Sequence, residues 1–68
     1  MEKIVIGVAG MSCQGCVKSV TAVLAALPGV EQVEVSLATA TAEISHDPAR
    51  SSVADFRQAI EDAGFDAN

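Results

Sequence analysis

The first hydrophobic pattern along the chain is an alternation. From Lys3 to Ala9, Ile4, Ile6 and Val8 fall on one side at period two, which predicts a β-strand packed on a core, and Gly10 ends it. From about Gln14 the spacing becomes three and four, through Val17, Val20, Leu24 and Leu27, with Lys18, Ser19 and Thr21 on the other faces. This predicts an amphipathic helix that begins at Ser12 or Cys13 and is stopped by Pro28-Gly29. Residues 30–37 alternate again, Val33, Val35 and Leu37 against Glu34 and Ser36, as a half-exposed strand does. After a tight turn near 38–40, Thr41 to His46 returns as its hairpin partner with Ala42 and Ile44 inward. Asp47-Pro48 breaks the chain. Ser52 and Asp55 then resemble a capping box ahead of Val53, Phe56, Ala59, Ile60 and Ala63, a second amphipathic helix. Gly64 follows as its C′ residue, and Phe65-Asp66-Ala67 has length only for a stub of a fourth strand.

The order strand, helix, strand, strand, helix, strand contains two crossovers that must be right-handed. A ferredoxin-like βαββαβ sandwich of the α+β class satisfies this. Both helices cover one face of a four-stranded antiparallel sheet, and the first and third strands lie side by side in its middle. At 68 residues the chain is expected to be a single domain spanning 1–68, with a core that must be packed efficiently.

Composition narrows what such a domain does. Half the residues are hydrophobic, and Phe56 and Phe65 are the only aromatics. The net charge is −5, and the four cations Lys3, Lys18, Arg50 and Arg57 are scattered, so no basic stripe or stacking platform for nucleic acid exists. No apolar run is long enough to insert in a bilayer, and the N-terminus lacks a signal pattern, so a cytoplasmic location is expected. In that compartment a lone cysteine pair points to metal binding or thiol redox chemistry rather than a structural disulfide.

The pair lies in Gly10-Met11-Ser12-Cys13-Gln14-Gly15-Cys16, where the strand pattern gives way to the helical one. Two sulfurs at a helix start are close enough to share one soft metal ion, and the positive end of the helix dipole favours thiolate. The topology brings the 38–40 hairpin and Gly64-Phe65 to the same end. It sends His46 to the other end, about 15 Å from the sulfurs at roughly 3.3 Å per strand residue, as a structural or edge-strand histidine. Two thiolates are too few for a closed tetrahedral zinc site, whereas soft Cu(I) accepts two sulfurs and leaves room for an incoming thiolate. Met11 reads as a packed hydrophobe before it reads as a thioether ligand. Phe65 either caps the sulfurs or belongs to the core. Lys18 is either solvated or turned to an acidic partner or the copper charge.

The stretch Met11-Ser12-Cys13-Gln14-Gly15-Cys16 resembles the Met-x-Cys-x-x-Cys signature of the heavy-metal-associated domain family. Leu27-Pro28-Gly29-Val30 and the closing Ala59 to Phe65 extend the likeness over essentially the whole chain. The resemblance implies that Cys13 and Cys16 are the metal ligands, with Met11, Ser12 and Phe65 around them, and that no residue is catalytic. Zinc and cadmium branches often carry Asp before the first cysteine, so Ser12 leans to Cu(I). Chains of this length are similar to small bacterial CopZ-type copper chaperones, which implies transfer to the metal-binding domains of copper-transporting P-type ATPases. Phe65 matches a position that is often Tyr in such chaperones and Phe in the ATPase domains, so an N-terminal ATPase domain is the alternative. The initial Met1 and the lack of a trailing linker favour the free chaperone. Exposed dithiols also allow a copper-bridged homodimer. A thiol–disulfide oxidoreductase is the competing class, although no Trp precedes Cys13 and no Pro separates the cysteines.

Overall fold

The computed structural model describes residues 1–67. Its elements are β1 (Glu2–Ala9), α1 (Gln14–Ala25), β2 (Val30–Ser36), β3 (Thr41–His46), α2 (Val53–Asp62) and β4 (Asp66–Ala67). The strands form one sheet in the order β2-β3-β1-β4, and every pairing is antiparallel. This is the expected ferredoxin-like sandwich, with β1 and β3 in the middle.

Alternation along the strands decides which face the helices cover. Ile6 and Val8 of β1 and Ala42 and Ile44 of β3 are buried together with Val20 and Leu24 of α1 and Phe56 and Ile60 of α2. Each large side chain so buried contributes about 1.5–3 kcal/mol relative to exposure. The opposite sheet face carries Val5, which is 61% exposed, and an ion pair between Lys3 Nζ and Glu43 Oε1 at 3.2 Å.

Both ends of α2 are closed by their own residues. At the N-cap, Asp55 N donates to Ser52 Oγ at 3.4 Å and Ser52 N donates to Asp55 Oδ2 at 2.8 Å, the reciprocal capping box. At the other end Gly64 takes φ +93°. Gly64 N donates to Glu61 O at 2.9 Å and Phe65 N to Ile60 O at 3.1 Å, the paired bonds of a Schellman turn. That turn sends Phe65 back onto the core and delivers β4 to the edge of β1, where Ala67 pairs with Val8 and Asp66 with Ala9.

Several boundaries differ from the periodicity. α1 ends at Ala25 rather than Leu27 because the chain tightens before Pro28, with Leu27 N donating to Leu24 O at 3.2 Å. The packed stripe of α1 includes Val23, while Val17 is half-buried and lies outside the core cluster. β2 carries a bulge between Val30 and Gln32, and Leu37 belongs to the hairpin turn, where Ala40 N donates to Leu37 O at 3.4 Å. Val53 is 37% exposed, and Phe65 precedes β4 rather than joining it.

His46 is buried on a central strand, not on an edge. It lies opposite Glu2 on one side and Val30 on the other, and its ring meets Phe56 edge-on at 4.7 Å between centroids. Neither ring nitrogen has a hydrogen-bond partner among the described residues. An unpaired buried polar group costs about 1–3 kcal/mol. Replacing His46 by Phe keeps an aromatic edge against Phe56 and is therefore expected to raise unfolding free energy by about 1–3 kcal/mol in urea titrations. Leu24→Ala, which empties a fully buried position, is expected to lower it by about 2–5 kcal/mol by the same measurement.

Candidate metal centre

β1 delivers the chain to the site and α1 holds it there. After Ala9, Gly10 turns at φ +96°, a conformation that strains any residue with a side chain. A methyl group at Gly10 would lie 3.6 Å from Cδ1 of Phe65, so the turn passes close against that ring. Met11 is half-buried and packs on the core, which anchors the loop, while Ser12 and Cys13 are exposed. Cys13 is the N-cap of α1, with extended backbone at φ −156° and ψ 171°. Its carbonyl accepts from Cys16 N at 3.1 Å and from Val17 N at 3.3 Å, which places Cys16 in the first helical turn. No acidic residue lies in that turn, so nothing there opposes a thiolate at the positive end of the helix.

The two sulfurs are 3.4 Å apart, and both cysteines are free. Cys13 is exposed and Cys16 half-buried, so a reactant reaches the pair from solvent. The Cys16 thiol is held below its ordinary range, chiefly by the Ser12 backbone amide and then by the Cys13 side chain, with partial desolvation opposing them. The same loop that positions the sulfurs thus favours the anionic form that ligates metals.

Of the residues singled out from the sequence, Met11, Ser12 and Cys13 sit on this loop, Cys16 on the first turn of α1, and Phe65 packs beside the loop. Val8 N donates to Ala40 O at 2.8 Å, which brings the hairpin tip to the same end. His46, opposite Glu2, is at the far end of β1. Among the described residues no group of three or more His, Cys, Asp or Glu side chains is placed to hold a metal ion. Two thiols by themselves suit a soft ion of low coordination number rather than a caged divalent one. Gly15 escaped the sequence reading: it lies between the cysteines, and a methyl group there would stand 3.6 Å from Cys13 Sγ.

Residues 5–66 match the model of the heavy-metal-associated domain. The chain belongs to the heavy-metal-associated domain family. Within that family it is 44% identical over 66 residues to the copper chaperone CopZ of Bacillus subtilis, covering 97% of this chain and 96% of that protein. It is also 44% identical over 66 residues to copper-transporting ATPase 1 of Rattus norvegicus, but there it spans only 4% of the ATPase. Among solved structures, a copper-binding domain of HMA7, a P-type ATPase, superposes with TM-score 0.97 at 41% identity, covering 100% of this chain and 92% of that one. A CopZ metallochaperone superposes with TM-score 0.96 at 30% identity, covering 98% of this chain and 100% of that one. Among the described residues no helix is long and apolar enough to cross a membrane.

The lowered thiol has a signed consequence. A group whose folded pKa is depressed adds stability above its unfolded pKa, and that stability is lost as pH falls through the folded value. For Cys16 the window lies at and below the ordinary thiol value of 9.0. Thiolate absorbance of Cys16 is expected to appear at lower pH in the folded chain than in urea. In Cys13→Ser the shift is expected to shrink without vanishing, because the Ser12 amide remains.

Proposed function

We propose that this domain carries one Cu(I) ion between Cys13 and Cys16 and passes it on by thiolate exchange, without catalytic turnover. The observation that carries the reading is two free thiols 3.4 Å apart at an exposed helix start, with no third donor cluster among the described residues. A near-linear bridge by one metal ion needs the sulfurs farther apart than this 3.4 Å contact. The exposed Cys13 side chain supplies that opening by rotating outward, while Cys16 stays on the helix. Met11 anchors the loop from the core side, Ser12 offers its amide to the Cys16 sulfur, and Phe65 packs against the Gly10 turn.

The copper chaperone and copper-transporting ATPases among the relatives support this cargo. They also suggest the acceptor, a metal-binding domain of a copper-transporting P-type ATPase, which the domain would meet in the cytoplasm. The match at 97% of this chain to a small part of such ATPases favours a second reading, a metal-binding domain of one of them, and the same two sulfurs serve both. A copper-bridged homodimer uses the same exposed edge.

Competition for Cu(I) against a chromophoric chelator tests the proposal. The native chain is expected to hold one Cu(I) per molecule, and Cys13→Ser or Cys16→Ser to lose it. Undiminished binding in either variant would overturn the assignment.

A further inference from the structure

Gly15 occupies the first turn of α1, where the backbone does not require glycine: its φ lies outside the left-handed region. Glycine weakens a helix relative to alanine, so its presence is a local cost without a backbone reason. Space explains it. A methyl group at this position would stand at van der Waals distance, 3.6 Å, from the Cys13 sulfur, its one contact within 4 Å beyond its chain neighbours and its own helix backbone among the described residues. Side chains on a helix lean toward its N-terminus, so any larger residue at position 15 would extend over the loop that carries Cys13.

We propose that Gly15 is the access residue of the site, leaving the Cys13 sulfur uncovered for the third thiolate of copper exchange. The inference rests on the copper-carrying reading for its function, but the exposure of the sulfur can be measured without copper. In the exchange, an incoming thiolate forms a third sulfur–copper bond. One of the two cysteine–copper bonds then breaks, and that cysteine leaves as thiolate with its electron pair. Copper stays Cu(I) and no electron is transferred. A side chain at position 15 would crowd the three-sulfur arrangement more than the two-sulfur one, so it would slow exchange more than it weakens binding.

The series Gly15→Ala, Gly15→Val and Gly15→Leu tests this. Gly15→Ala is expected to raise the melting temperature by a few degrees, because 3.6 Å is an ordinary contact and alanine favours the helix, which shows that the fold tolerates the site. In the metal-free protein, the rate at which Cys13 is irreversibly alkylated by a bulky N-aryl maleimide relative to small iodoacetamide is read by peptide mass mapping. This ratio is expected to fall several-fold along the series, and taking a ratio cancels any change in thiolate fraction. Copper exchange between a loaded copy and an isotope-labelled metal-free copy of the same variant is expected to slow in parallel, with Cu(I) affinity held within severalfold. A reagent ratio unchanged from Gly15 to Leu would overturn the inference. Failure of the native chain to bind Cu(I) would overturn the functional reading while leaving the reagent ratio to decide on access.

Discussion

β1 is held from both sides, by β3 along Glu2–Gly7 and by β4 at Val8–Ala9, and the position of the thiol loop depends on that grip. A strand paired on one side would leave the Gly10–Cys13 segment free to swing. Here the last two residues of β1 are pinned by a stub of strand that exists only because the Schellman turn after α2 redirects the chain. The site is therefore coupled to α2 through the backbone bonds of that turn and the Phe65 ring, as well as through the core that α2 shares with α1.

Rigidity on the scaffold and openness at the sulfurs are complementary. Met11 and Phe65 fasten the loop from the core side, whereas Ser12, Cys13 and Gly15 face solvent. A site intended to retain its ion would enclose it and supply further donors. Here two sulfurs lie exposed and half-buried at the start of α1, with an amide and a helix N-terminus stabilising negative charge beside them.

The buried His46 belongs to a different account. It sits across the sheet from Glu2, one strand length from the thiols, and its ring fills core volume against Phe56. Its nitrogens are a stability cost carried at the end of the domain opposite the chemistry.

Fold and site differed in how far the chain alone revealed them. Period two in β1 and β3, the three-and-four spacing of Val20, Leu24, Phe56 and Ile60, the Ser52–Asp55 capping box and the Gly64 terminator are local signals, and local backbone physics honoured them. The two cysteines and their place at a strand-to-helix junction were legible for the same reason. What depended on contacts distant in sequence was not. Val17 left the core stripe because α1 rests on the sheet through Val20, Val23 and Leu24. Leu37 left its strand because the hairpin turn claimed it, and β2 gained a bulge in order to pair with β3. His46 is buried because it continues the alternation of Ala42 and Ile44 along β3, and the nearness of Gly15 to the Cys13 sulfur depends on where the Cys13 side chain is turned, which no periodicity encodes. The sequence by itself determined the elements and the donor atoms, since these follow from bonds and side chains a few residues apart. Only the tertiary structure decided which of those side chains are covered and which sulfur stands open, since that depends on how the elements pack.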